Sequence, residues 1–166
     1  MKYIKKLNEY FDLENYYNVK LIDTTKKHID RFLKTFPKFN KNIKTYTYSF
    51  GENNEYEIDI NFNEIKKYLS LSFTNKNTMY SNTNKFDQIK VLNTVFNTLL
   101  DFIIEYNIEN IFITAEPKRF RIYKIVAHKM IKNWNIKETD IIDGRNFLII
   151  SKYNNVSIDG NTINII

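Results

Sequence analysis

The chain has 166 residues, of which 43% are hydrophobic, and its formal net charge is +6. It contains no cysteine, two histidines that lie far apart, three glycines and two prolines. This composition predicts one globular domain without a metal site, because it excludes a disulfide framework, a thiolate zinc site and a cysteine nucleophile.

The first part of the chain predicts two helices with a strand between them. Apolar residues at helical spacing predict an N-terminal helix in residues 2–17, and the apolar run 19–22 predicts a short strand. Polar side chains at 23–25 offer capping oxygens to a second helix, which we expect to continue through about Phe36 and to end at Pro37.

Three strands are predicted next. Residues 45–50 and 55–62 alternate apolar and polar side chains on either side of the segment 51–54, which is typical of a β-hairpin. Residues 67–74 alternate in the same way, and the polar stretch 75–84 is predicted to be a loop. The three strands together predict an antiparallel meander.

The strongest predicted element is a long helix that runs from Lys85 to about Tyr106 with a wide apolar face. A short strand at 110–115 is predicted to follow it. Pro117 suits the first turn of a further helix, which we expect to continue to roughly Trp134.

The last part of the chain predicts two hairpins. Residues 136–142 and 145–151 flank Asp143 and Gly144, a pair typical of a tight hairpin turn. A second Asp-Gly pair predicts another hairpin in the tail, residues 156–166.

The order of these elements predicts a mixed α/β (α+β) fold with a largely antiparallel sheet and flanking helices. We expect a single domain over residues 1–166. It divides into an N-terminal helical extension at 1–17, a core at 19–152 and a C-terminal tail at 153–166.

From residue 19 to residue 151 this order resembles the GNAT acetyltransferase superfamily. There, the helix after the fifth strand carries a Leu-Tyr-x-x-x-Gly-Phe pattern whose tyrosine can act as a general acid. Ile122 and Tyr123 stand at the corresponding place, with Ala127 and His128 instead of Gly-Phe. The resemblance therefore implies a GNAT-like fold with Tyr123 as the acid.

Glu116 directly follows the predicted buried strand at 110–115 and is a candidate general base. An alternative explanation is structural, because a negative charge is favoured at a helix N-terminus. The catalytic hypothesis therefore consists of Tyr123 with Glu116, and it applies only if the protein is an enzyme.

The chain also resembles uncharacterised tailed-bacteriophage proteins of similar length. It shares with them a Thr-Val pair at 94–95, an Ile-x-Phe-x-Ala strand at 111–115 and a Glu-Pro-x-Arg-x-x-x-Tyr stretch at 116–123. Isoleucine, asparagine and lysine supply 70 of the 166 residues, as codon usage in a low-GC genome would produce. The resemblance implies a phage protein in the cytoplasm of an infected bacterium or in the virion.

The segment 75–90 bears on coenzyme binding. In GNAT enzymes the backbone at the start of the long helix binds the diphosphate of acetyl-CoA through a glycine-containing motif, since glycine lets the backbone approach the phosphates. Residues 75–90 contain no glycine, and we assign no cofactor-binding residue. The first hypothesis is therefore a non-catalytic interaction or virion assembly protein without a cofactor. The alternative is an acetyl-CoA-dependent N-acyltransferase with an atypical loop.

A basic interaction face is predicted on the helix after Pro117, formed by Lys118, Arg119, Arg121, Lys124 and Lys132. It could contact nucleic acid or an acidic host factor, or it could be the solvated side of the helix. The apolar N-terminal helix and tail could pack onto their own domain, or they could contact other protein subunits as partners. The sequence shows neither a signal peptide nor a membrane-spanning segment, so no membrane is expected as a partner.

Overall fold

The computed structural model describes residues 14–25, 29–76, 85–114, 117–139, 146–153, 156–159 and 162–165. Its helices are α1 (Arg31–Thr35), α2 (Lys85–Tyr106) and α3 (Pro117–Met130), with a 3-10 turn at Pro37–Asn40. Its strands are β1 (Lys20–Asp23), β2 (Lys44–Phe50), β3 (Tyr56–Asn63), β4 (Tyr68–Asn75), β5 (Asn110–Thr114), β6 (Asn135–Glu138), β7 (Phe147–Ser151), β8 (Val156–Asp159) and β9 (Thr162–Ile165).

Seven of the strands form one sheet in the order β1-β2-β3-β4-β5-β7-β6. Neighbouring strands are antiparallel except β4 and β5, which are parallel and are connected through α2. Strands β8 and β9 pair separately as an antiparallel hairpin. The predicted mixed α/β fold with a largely antiparallel sheet and a tail hairpin is confirmed.

Both faces of the sheet are covered. Helices α2 and α3 pack on one face, where Phe96, Leu99 and Val126 are buried together with Ile60 and Ile111 of the sheet. Helix α1 packs on the other face through an aromatic cluster, in which Phe32 and Phe36 meet Tyr68, Phe112 and Phe147. In the parts of the chain that the structure describes, no helix is long and apolar enough to cross a membrane.

Because both faces of the sheet are covered, strands β2 and β3 bury polar side chains as well as apolar ones. Their apolar side chains face α2, while the alternating polar side chains are buried on the α1 side. Pairs across the two strands satisfy one another: the Thr45 hydroxyl donates to Asn61 at 2.7 Å, and the Thr47 hydroxyl donates to Asp59 at 2.6 Å. These bonds offset the cost of removing the polar groups from water.

Three of the predicted helix boundaries were wrong. Helix α1 begins at Arg31 and is capped by Asp30, whose carboxylate accepts from the Leu33 N–H at 3.0 Å. The earlier candidate cap, Asp23, accepts instead from the N–H of Thr25 in a local turn. Helix α3 ends at Met130, before Trp134, because the chain turns there into β6.

The third difference concerns the predicted helix at 2–17, whose residues 14–17 are not helical. Their backbone bonds to side chains of α2: Asn93 donates to the Asn15 carbonyl at 3.1 Å, and Tyr17 N–H donates to Thr94 at 2.8 Å. Tertiary contacts therefore replace helical hydrogen bonds in this segment. Residues 1–13 lie outside the described residues.

Replacing Phe32 tests how much the α1 contact stabilises the fold. Its ring stacks on Phe112 at 4.2 Å between centroids and is fully buried. We expect Phe32→Ala to lower the free energy of unfolding by about 3–5 kcal/mol, measured by urea denaturation. Ile65→Ala, at a side chain that is 82% exposed, is the control and should change little. Equal effects of the two variants would contradict this packing.

A second prediction concerns alkaline pH. Burial, reinforced by the Glu105 carboxylate, raises the pKa of Tyr48 to about 12, above the ordinary value of 10.0. Between pH 10 and 12 the unfolded chain therefore loses this proton while the folded chain keeps it, so the free energy of unfolding falls as the pH rises. Because Tyr48 is only half-buried, we expect its share of this fall to be about 1–2 kcal/mol.

Denaturation of Tyr48→Phe at pH 9 and pH 11.5 measures that share, since the variant cannot ionise at this position. Its stability should fall less steeply than that of the wild type. Tyr16→Phe, at an exposed side chain, is the control. A Tyr48→Phe slope identical to that of the wild type would show that this phenol does not contribute.

Candidate functional site

The candidate site lies where the two parallel strands separate. Strand β4 pairs with β5 over four residues, from Tyr68 beside Asn110 to Leu71 beside Ile113. Beyond this point, β4 continues beside β3, where Ser72 pairs with Asp59. Thr114, the last residue of β5, instead pairs with β7. The sheet consequently opens at the carboxyl ends of β4 and β5.

At the other end of the pair, hydrogen bonds hold the two strands together. Lys67, in a left-handed conformation with φ of 57°, precedes β4, and its carbonyl accepts from the N–H groups of Glu109 at 2.7 Å and Asn110 at 3.2 Å. The Ser151 hydroxyl of β7 donates to Asn110 at 2.6 Å. The strands are thus joined at their amino ends and open at their carboxyl ends.

A cavity of about 110 Å³ occupies this opening. The strands supply part of its wall, α2 supplies three apolar side chains, and α3 supplies two polar ones. The lining residues are Leu71, Ser72, Phe73, Leu92, Val95, Phe96, Ile113, Thr114, Arg119 and Tyr123. The cavity is therefore mainly apolar, with a few polar groups that could orient a ligand.

The polar groups of the cavity differ in exposure. Tyr123 is 7% exposed, whereas Arg119, one helical turn before it on α3, is exposed to solvent. The Ser72 hydroxyl is shielded from solvent and has no hydrogen-bond partner within the protein. Among the described residues there is no group of three or more histidine, aspartate or glutamate side chains that could hold a metal ion.

Of the two catalytic candidates, the structure places Tyr123 at the cavity. Glu116 lies outside the described residues, and so does the segment 77–84 of the glycine-free loop. The general base and the coenzyme loop therefore remain predictions from the sequence. The polar residues that line the described cavity are Arg119 and Tyr123 of α3 with Ser72 and Thr114 of the strands, in an apolar surrounding.

The residues of the predicted basic face lie in different surroundings. Arg119 lines the cavity, while Arg121 and Lys132 are exposed elsewhere on α3 and in the turn after it. The Lys124 ammonium group forms an ion pair with Glu138 of β6 at 2.7 Å. For Lys118 the structure describes the helical backbone but not the side chain. Binding of an anionic partner by this face remains a prediction.

The sequence did not indicate that the hydroxyl groups of Ser70 and Ser72 are buried, nor that Ser72 belongs to the cavity wall. Both lie on β4 at alternating positions, and both hydroxyl groups are buried without a partner. Their alternation with Leu69, Leu71 and Phe73 was visible in the sequence, but it indicated only a strand. Their burial follows from the helices that cover both faces of the sheet, which the alternation of residues along one strand does not indicate.

No family model matches the chain, and no curated protein matches it in sequence. Solved structures resemble it in fold. An N-acyl amino acid synthase, FeeM, from uncultured soil microbes is 13% identical with a TM-score of 0.48, covering 84% of this chain and 90% of its own. The N-acetyltransferase PseH of Campylobacter jejuni is 10% identical with a TM-score of 0.44, covering 81% and 99%. The ribosomal-protein-S5-alanine acetyltransferase of Vibrio fischeri is 11% identical with a TM-score of 0.43, covering 84% and 93%.

Proposed function

We propose that this protein is an N-acyltransferase that takes its acyl group from a coenzyme A thioester such as acetyl-CoA. The observation that carries the proposal is the cavity between the separated ends of β4 and β5, with Tyr123 in its wall. The sequence favoured a non-catalytic protein because residues 75–90 lack glycine. The cavity supports the alternative, because Tyr123, the tyrosine of the GNAT-like pattern, lies in its wall.

The residues present fit the acylated end of such a donor. Leu92, Val95 and Phe96 of α2 form an apolar wall that would hold an alkyl chain and exclude water. Arg119 supplies a positive charge and hydrogen-bond donors at the same cavity.

In the proposed reaction, a bound thioester supplies an electrophilic acyl carbon with a thiolate as leaving group. The bond from the acceptor nitrogen to the acyl carbon forms, and the carbon–sulfur bond breaks. The nitrogen gives its proton to a base, for which the sequence predicts Glu116, and the departing sulfur gains one from the Tyr123 hydroxyl, which acts as general acid and is reprotonated from solvent. Helix α3 fixes this phenol in position, since Tyr123 is buried between Phe120 and Ala127 of the same helix face.

Replacing the phenol tests this role directly. Calorimetry should detect acetyl-CoA binding to the wild type, and Tyr123→Phe should keep that binding because it retains the ring in the cavity wall. With a primary amine as acceptor, release of free thiol by Tyr123→Phe should fall about 100-fold, since general acid catalysis commonly contributes this much.

Tyr153→Phe is the matched control, because this tyrosine is exposed and its hydroxyl donates to Glu109 outside the cavity. It should leave both binding and turnover unchanged. If acetyl-CoA does not bind the wild type at millimolar concentration, the proposal fails. If Tyr123→Phe turns over as fast as the wild type, the enzyme uses another acid.

A second candidate is the non-catalytic assembly role, in a phage particle or an infected cell. Strand β1 lies at the edge of the sheet, and its Leu21 and Ile22 are each 45% exposed. An edge strand with exposed apolar side chains can pair with a strand of another subunit. This candidate uses a surface distinct from the cavity.

Size-exclusion chromatography with light scattering tests the assembly candidate. If β1 joins subunits, Leu21→Lys combined with Ile22→Lys should convert an oligomer into a monomer, because two charges oppose burial of the edge. Ile104→Lys, at an exposed position on α2, is the control and should not change the mass. A wild-type monomer at all concentrations contradicts self-assembly, and absence from purified virions contradicts the particle version.

A further inference from the structure

The cavity has an apolar interior and a polar entrance. Five apolar side chains of its wall are almost fully buried, with at most 8% of their surface exposed: Leu71, Leu92, Val95, Phe96 and Ile113. Toward solvent the wall consists of Phe73 and Thr114, which are half-buried, and of Arg119, which is exposed. A ligand that fits this cavity therefore places a hydrocarbon group in the interior and a polar group at the entrance.

Hydrocarbon suits the interior better than water does. A buried water molecule typically makes about three hydrogen bonds to the protein, and the five interior side chains offer it none, because they are all hydrocarbon. A void leaves its lining without contacts on one side, so an apolar ligand that fills the space gains dispersion energy. The interior is therefore suited to an alkyl chain.

The size of the cavity indicates the length of that chain. Its volume is about 110 Å³. An engineered cavity of about 150 Å³ with a similar apolar lining binds benzene, which has six carbons, so in proportion this cavity holds about four carbons. An acetyl group has only two carbons and leaves part of the apolar wall without contact.

We infer that the acyl group transferred by this protein is a short alkyl chain of about four carbons, such as butyryl, in preference to acetyl. The inference rests on the proposed function, since it names the acyl group of the same donor. Leu92, Val95 and Phe96 of α2 contact the chain, and the bonds that form and break are those of the proposed reaction. The side chains of α2 thereby select the donor by its length.

Calorimetry with coenzyme A thioesters of increasing chain length tests the inference. We expect butyryl-CoA to bind about 10- to 15-fold more tightly than acetyl-CoA, since each methylene group moved from water into the cavity contributes about fourfold. Octanoyl-CoA should bind no more tightly than butyryl-CoA, because its additional carbons find no further room in the cavity.

Helix α2 provides a matched pair of variants. Val95 lines the cavity, whereas Val91, one helical turn earlier and 5% exposed, is buried elsewhere in the core. Val95→Leu adds a methylene group that occupies part of the cavity, so the preference for butyryl-CoA over acetyl-CoA should decrease to about fourfold or less. Val91→Leu should keep the wild-type preference. Because the preference is a ratio of two dissociation constants, a general loss of affinity does not change it.

The melting temperatures of these two variants test the cavity without a ligand. Val95→Leu should keep or raise the melting temperature, since the added methylene group enters a void. Val91→Leu should lower it, because an added methylene group in a close-packed core causes strain. An equal decrease in both variants would show that there is no room beside Val95, and it would overturn the inference.

A probe without coenzyme A separates this inference from the proposed function. Titration of the full ¹⁵N-labelled chain with 1-butanol, followed by NMR, should shift the amide signals of Val95 and Ile113, and ethanol at the same concentration should shift them less. If 1-butanol binds but no thioester does, the proposed function fails and the cavity remains a site for a short alkyl chain.

The thioester series decides the opposite case. If acetyl-CoA and butyryl-CoA bind equally, or if the affinity increases by the same factor through octanoyl-CoA, the acyltransferase stands and the inference on chain length is overturned. The same holds if Val95→Leu and Val91→Leu show equal preferences. If neither 1-butanol nor any thioester binds, both proposals fail.

Discussion

The short parallel pairing of β4 with β5 is the constraint on which the rest of the structure depends. Four residues of each strand are hydrogen-bonded, and then each strand follows its other neighbour. A parallel pair requires a crossover, and α2 supplies it, so the helix that covers the sheet also covers the opening. Helix α3 starts soon after β5 ends, which brings Arg119 and Tyr123 to the same place. The short pairing of these two strands thereby brings residues of β4, β5, α2 and α3 to one cavity.

The unpartnered serines follow from the same sheet. In β2 and β3 the buried polar residues satisfy each other, as Thr45 does with Asn61. Extended by one strand, that row reaches Ser70, whose next neighbour on β5 is the apolar Phe112. The row through Thr47 and Asp59 reaches Ser72, beyond which lies the opening rather than a paired strand. Both hydroxyl groups are shielded from solvent, and Ser72 is the one that belongs to a residue of the cavity wall.

The spacing of apolar residues in the sequence correctly predicted the elements in which that spacing is regular. The bounds of α2 and the three-strand meander agree closely with expectation, since their apolar spacing is strong and uninterrupted. The start of α1 could not be predicted in this way, because the polar groups at residues 23–25 and Asp30 are both suitable caps locally, and burial of Phe32 and Leu33 decides between them. Of the residues in the cavity wall, Tyr123 was predicted from a resemblance. The place of Ser72 in that wall could not be predicted, because it depends on which strands pair and where that pairing stops.

The hydrogen bonds to the Lys67 carbonyl bear on which substitutions the cavity wall can accommodate. Carbonyl and N–H groups of the main chain hold β4 to β5 there, and the opening at the far end begins where the backbone pairing of the two strands ends. Substitutions in the cavity wall can therefore alter the size, polarity or charge of what is accepted while the opening itself persists. The backbone pairing that bounds the cavity is thus separate from the side chains of α2 and α3 that line it, so that lining can vary without any change in the strand order.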